Sequence, residues 1–143
     1  MRTSPAGIDA IKQYEELRLD AYLDGGGVWT IGYGHTDNVH SEDTVTEFLA
    51  EQLLESDLND AEEAIDMYVD VDLNQNQYDA LVSFIFNIGV NGFHGSTLLR
   101  LLNNGDYAGA AKQFPRWCKD NGVTVQGLLN RRMKEQQMFK VVA

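Results

Sequence analysis

The stretch AYLDGGGVWTIGYGHT, residues 21–36, constrains the fold more than any other part of the chain. Ala-Tyr-Leu and VWTIGYG have the aromatic and β-branched character of two short strands, and three consecutive glycines between them predict a hairpin. Elsewhere apolar residues recur at helical spacing. Ser4-Pro5 supplies an N-cap and a first-turn proline for a helix over about 5–16, with Ile8 and Ile11 on its apolar stripe. Thr46 caps a long helix over about 47–68, with Leu49, Leu53, Ala61 and Ile65 inward. Asn74 and Gln77 form a capping box ahead of the apolar helix QNQYDALVSFIFNIG, which Gly89 ends. Ser96 caps TLLRLLNN and Asp106 caps YAGAAKQF, whose end Pro115 disturbs; a last helix is predicted over about 126–139. The expected fold class is α+β, mostly α, with one small sheet near the N-terminus.

A chain of 143 residues is long enough for one domain with a true core. No apolar run reaches the length of a membrane span, and the scattered charges of MRTSPAGIDAIKQYEE do not make a secretion signal. The single cysteine, Cys118, leaves no internal disulfide and reads as a buried thiol in a reducing compartment. The net charge is −11, and it is unevenly spread. Residues 1–95 hold three basic and nineteen acidic side chains, whereas residues 96–143 hold eight and three. A negative total argues against nucleic acid as partner, because that affinity rests on neutralising phosphates. DVDLNQNQYDAL imitates a calcium loop but has Gln75 where the turn glycine belongs and Leu81 where the last acid belongs. No metal and no cofactor are expected.

The first helix separates two adjacent glutamates. Glu15 falls four residues after Ile11 and seven after Ile8, on the apolar stripe; Glu16 falls four after Lys12 and pairs with it on the solvent side. A carboxyl held partly out of water at the negative end of a helix favours its protonated form, which a general acid needs. A salt bridge of Glu15 with Arg18 is the competing reading. On the second strand, Trp29, Ile31 and Tyr33 are expected inward. Val28, Thr30, Gly32 and Gly34 are expected on an open face, bare after Thr30. Asp24 and Thr30 then stand across the turn, able to hold a water between them. The plainer alternatives are a turn-forming Asp24 and a Thr30 chosen for β propensity. Together, a shielded acid and a solvated carboxylate describe glycoside hydrolysis, and a water-placing threonine favours inversion.

The pattern E-x8-D-x5-T, here Glu15, Asp24 and Thr30, followed by IGYGHT, resembles the phage lysozymes of the T4 lysozyme-like family, and among them the shorter lambdoid-phage endolysins. The resemblance extends through LNQNQYDALVSFIFNIG, STLLRLLNNGDYAGAAKQFPRW and GLLNRR. It implies a lysozyme-like fold with a small β-containing lobe over about 15–46, a linking helix over about 47–68 and a helical lobe over about 73–143 plus the N-terminal helix, with a cleft between the lobes. It implies hydrolysis of the β-1,4 bond between N-acetylmuramic acid and N-acetylglucosamine in peptidoglycan. Glu15 matches the proton donor, and Asp24 and Thr30 match the pair that positions water. By position, Thr36, Phe86, Asn87, Ser96, Gln113 and Arg116 match places that line the cleft. The family usually has glycine after its glutamate, where this chain has Glu16. His35 is expected to pair with Asp57 as structural support.

Peptidoglycan glycan strands are the expected partner of a monomer with no stable membrane binding. Arg116, Lys119 and Arg131 are expected to meet the carboxylates of this anionic polymer. A muramidase accumulating in the host cytoplasm would need a separate membrane-permeabilising protein, a holin, to reach the wall. Two other readings are a lytic transglycosylase, which needs no positioned water, and a wall-binding phage protein that has lost its chemistry.

Overall fold

The computed structural model of the chain describes residues 1–141. Val142 and Ala143, included in the expected helical lobe, lie outside the described residues. The chain divides into two compact units: residues 8–59, and residues 1–7 together with residues 60 onward.

In the first unit, helix α1, Pro5–Tyr14, runs into the unit from the N-terminal segment. Strands β1, Arg18–Leu23, and β2, Trp29–Gly32, then pair antiparallel, with Tyr22 opposite Thr30, Leu23 opposite Trp29 and a register shift between Arg18 and Tyr22. The hairpin forms where the sequence predicts it, but the alternation along β2 stops early. Gly32 adopts φ +65°, and a Cβ there would stand 3.3 Å from the Cβ of Ala50 on helix α2, Glu47–Asp57. Gly32 is therefore buried against a helix, and Thr30 is only 4 % exposed. The expected open face is not bare; a positive φ turns the chain before a fourth alternate residue can extend it. Ile31 and His35 exchange both backbone hydrogen bonds at 2.9 Å, closing a tight loop around Gly34.

The predicted helix over 47–68 is two helices, α2 and α3, Asn59–Tyr68, separated by Leu58. The Leu58 N–H is shared between the Leu54 and Ser56 carbonyls, and its ψ of −15° tightens the turn. Such a change of hydrogen-bond pattern interrupts a helix without proline or glycine.

The second unit packs α4, Gln75–Ile88, against α8, Gln126–Lys140, with α5, Val90–His94, α6, Thr97–Asn103, and α7, Tyr107–Ala111, around them. Both halves of the expected capping box at Asn74 and Gln77 are present, and Thr46, Ser96 and Asp106 each accept from the backbone as N-caps. The core centres on Phe84, whose ring meets Phe114 at 5.1 Å and Trp117 at 5.7 Å edge-on, while Phe114 meets Phe139 at 5.4 Å. Cys118 is buried, as expected. A short hairpin, β3, Lys119–Asp120, and β4, Val123–Thr124, was not anticipated. Its turn residues Asn121 and Gly122 both have positive φ, the conformation that Asn-Gly favours.

The same unit contains a buried carboxylate that sequence reasoning passed over. Asp79, in the apolar run of α4, accepts from the Ser4 N–H at 3.0 Å, from Gln75 Nε2 at 2.8 Å and from the Ser4 hydroxyl. Ser4 also accepts from the Gly7 N–H at 3.1 Å, so the expected N-cap of α1 is itself anchored to α4.

Candidate active site

Glu15 follows the last residue of α1, and its N–H still donates to the Ile11 carbonyl at 3.1 Å. The helix thus delivers a half-buried carboxyl from its C-terminal end, while Glu16 stays exposed. The loop after β2 comes to meet it. Gly34 has φ +84°, and a Cβ at that position would stand 3.3 Å from Glu15 Oε2. A Cβ at that backbone angle would be strained in itself and would press the carboxyl back by a few tenths of an ångström.

Two expected ion pairs are rearranged. Lys12 reaches Glu51 on α2 at 2.9 Å rather than Glu16, and this hydrogen bond holds its ammonium above the usual lysine range. Arg18 lies over the Tyr22 ring at 4.3 Å, with Glu16 at 3.8 Å. The chain leaves the helix before Arg18 and enters β1, so the helical i,i+3 relation to Glu15 does not apply.

Asp24 is a turn-former, and one oxygen suffices for that. Its Oδ1 accepts from the N–H groups of Gly26 at 2.8 Å and Val28 at 2.9 Å, which leaves Oδ2 with no protein partner among the described residues. The Thr30 hydroxyl donates to the Val28 carbonyl at 3.0 Å. With its one hydrogen committed, that oxygen can only accept from anything further. His35 Nδ1 lies 2.8 Å from Asp57 Oδ2 and 3.0 Å from Oδ1, tying the glycine loop to the end of α2. Thr36, exposed, follows directly.

The remaining residues of interest belong to the second unit. Asn87 accepts from Arg132 Nη2 at 2.6 Å, and Arg132, fully buried, lies 5.2 Å from the Phe84 ring centre. Asn87 and Arg116 line one groove of about 460 Å³ together with Ile88, Trp117, Lys119 and Leu128. Phe86 and Gln113 are half-buried and outside that groove. The Ser96 hydroxyl is committed twice, donating to the Phe93 carbonyl at 2.7 Å and capping Leu99. Trp117 was not anticipated as a groove residue. Arg131 is not free to meet a ligand. It is 6 % exposed, pairs with Glu135 at 3.2 Å and donates to the Ser83 carbonyl at 3.1 Å. Its position in the last helix turns it inward, away from the expected role of meeting the carboxylates of the polymer. No group of three or more His, Cys, Asp or Glu side chains among the described residues could hold a metal ion.

A small hairpin in a mostly helical chain, with a carboxyl at the end of the first helix held over a glycine loop, defines a lysozyme-type glycoside hydrolase. A phage lysozyme family profile matches residues 12–135, and the chain belongs to that family. It is 44 % identical to an endolysin of Acyrthosiphon pisum secondary endosymbiont phage 1, over 98 % of this chain and 99 % of the relative. Its fold matches a P22 lysozyme mutant with a TM-score of 0.88 at 45 % identity, over 97 % of this chain and 98 % of the other. It matches the muramidase domain of SpmX from Asticaccaulis excentricus with a TM-score of 0.93 at 39 % identity, over 99 % of both chains.

Proposed function

We propose that this chain is an endolysin that hydrolyses the β-1,4 bond between N-acetylmuramic acid and N-acetylglucosamine in peptidoglycan, with inversion at the anomeric carbon. The observation that carries the reading is the placement of Glu15 Oε2 against Gly34, beside a hairpin that offers one uncommitted carboxylate oxygen and one accept-only hydroxyl. Glu15, protonated, gives its hydrogen to the glycosidic oxygen as the C1–O bond breaks. Asp24 Oδ2 and Thr30 Oγ1 each accept one hydrogen of a water, which turns an oxygen lone pair toward C1. As the C–O bond to water forms, Asp24 takes the released proton and Glu15 is reprotonated from solvent. The water is added across the bond, and both carboxyls return to their starting state.

Thr36, Phe86, Asn87, Ser96, Gln113 and Arg116 are assigned to glycan binding, Asn87 and Arg116 through their shared groove and Ser96 by position alone, since its hydroxyl and its backbone N–H both donate to the Phe93 carbonyl. His35 and Asp57 support the glycine loop. No helix among the described residues is long and apolar enough to cross a membrane, and release to the wall is assigned to a separate holin.

NMR of the first products from a defined muropeptide tests the chemistry. The α-anomer should appear first. A β-anomer would mean retention, and a 1,6-anhydro end would mean transglycosylation. Glu15→Gln should lower turnover by about 10²- to 10⁴-fold with the fold intact; unchanged turnover would remove Glu15 from the mechanism.

A further inference from the structure

We propose that the depression between the end of α3 and the start of α6 is a second glycan-binding site, which takes carboxylate-bearing strands of wall polysaccharide. The inference rests on the muramidase reading for its ligand; the depression contains none of Glu15, Asp24 and Thr30, and Ser96 alone is shared with the residues assigned to glycan binding above. Tyr68, His94, Ser96, Thr97, Arg100 and Asn103 line a depression of about 390 Å³. The Tyr68 and His94 rings, from different helices, stand 4.3 Å apart at 36°.

Two of the lining side chains are spent on building the site. Asn103 Oδ1 accepts from the Asp70 N–H at 2.8 Å while its Nδ2 donates to the Tyr68 carbonyl at 2.8 Å, clamping the chain on both sides of the α3 terminus. Ser96 caps α6. The others are left over. The Tyr68 hydroxyl, the His94 ring nitrogens, the Thr97 hydroxyl and the Arg100 guanidinium have no hydrogen-bond or ion-pair partner among the described residues. Arg100 is the more telling of these. It is the first basic residue after Arg18, in a chain with 22 acidic side chains, and it is paired with none of them.

Aromatic walls suit the C–H faces of a pyranose, and hydroxyl and ring-nitrogen groups suit its hydroxyls. An uncommitted guanidinium adds bidentate recognition of a carboxylate. That carboxylate can come from the lactyl group of muramic acid or from a stem peptide, and both occur on the same strand. A second point of attachment would keep the enzyme on the polymer between cuts.

Full-length protein and its Arg100→Ala and Arg100→Lys variants, both changed at an exposed position, provide the test. Arg100→Ala should raise the concentration of purified sacculi giving half-maximal clearance by about tenfold, the loss of one charge-assisted contact. Turnover of a short soluble muropeptide should be unchanged, and Arg100→Lys should recover part of the loss. Amide resonances of Thr97 and Arg100 should shift on titration with peptide-free glycan strands and, equally, with strands that carry peptides if the lactyl carboxylate is bound. A shift only with peptide-bearing strands would assign the stem carboxylates. Shifts matched by neutral chitooligosaccharides, or by inorganic phosphate at equal concentration, would overturn the site. Clearance by Arg100→Ala at wild-type sacculi concentrations would overturn it too, while leaving the muramidase reading intact. A wild-type protein that cuts no muropeptide would end both.

Discussion

Gly34 is where a backbone constraint and a chemical one fall on the same residue. Its φ of +84° is strained for any residue with a side chain, and a Cβ there would stand 3.3 Å from Glu15 Oε2, close enough to press the carboxyl back by a few tenths of an ångström. Gly32, two residues earlier, has φ +65° as well, but a Cβ there would press on Ala50 instead. The pair separates strain from chemistry. Both Gly32→Ala and Gly34→Ala should lose about 1–2 kcal/mol of stability from the left-handed backbone alone. Only Gly34→Ala should also lower the clearance rate per folded molecule, by about tenfold, the equivalent of 1.4 kcal/mol in the barrier. Thermal unfolding and clearance assays on both variants check this. Equal rates for the two would show that the Glu15–Gly34 approach does not matter to turnover. That Glu15 is half-buried and Glu16 exposed follows the helical wheel, because α1 keeps its period to the last turn. The part played by Gly34 is not legible in that way, because strict strand alternation assigns it a face, and a positive φ at Gly32 removes it from the strand.

At the scale of the elements, helices with caps were legible and buried charge was not. The capping box of α4 and the caps at Thr46, Ser96 and Asp106 are local, so a few neighbouring residues specify them. The break at Leu58 left no breaker residue in the sequence, and Asn121-Gly122 was a hairpin signal set between strands of only two residues each. In α8 the difficulty was one of kind. Arg131, Arg132 and Glu135 are 6 %, 0 % and 1 % exposed, so three charged side chains at helical spacing are part of the interior. Glu135 Oε1 lies 2.8 Å from Arg132 Nε, and its Oε2 lies 3.2 Å from Arg131 Nε and accepts from the Ser83 hydroxyl at 2.5 Å. Burial pushes the Glu135 carboxyl up, and the two guanidiniums and Ser83 pull it back. Removing the central charge leaves two buried cations facing each other. Glu135→Gln should therefore cost about 3 kcal/mol or more, whereas Ser83→Ala, which removes one neutral donor, should cost about 1–2 kcal/mol. Urea unfolding measures both. A Glu135→Gln variant as stable as wild type would mean that the cluster is not held by its charge.

At the scale of the whole molecule, the charge follows the division into units. Residues 8–59 carry two basic and twelve acidic side chains; the other unit carries nine and ten, close to neutral. The sequence showed the asymmetry as a split near residue 95, but the chain returns to residues 1–7 and begins the second unit at residue 60, which no composition count locates. Cations facing an anionic polymer are thus to be sought on the near-neutral unit. There Arg131 and Arg132 are consumed inside, while Arg116 and Lys119 remain exposed along one groove over Ile88, Trp117 and Leu128. Such a groove suits an apolar stem bearing carboxylates, and screening weakens attraction between exposed charges. Arg116→Ala should raise KM on cell walls by about fivefold, with a smaller change on uncharged chitin-like oligomers, because only the former lose an ionic contact. The wild-type advantage on walls should also shrink as salt rises from 0.05 to about 0.5 M, where the screening length drops to a few ångströms. Steady-state kinetics on the two substrates at both salt concentrations tests this. An equal rise in KM on charged and uncharged substrates would assign Arg116 a packing role and leave the acidic enzyme without its contact to the wall on this face.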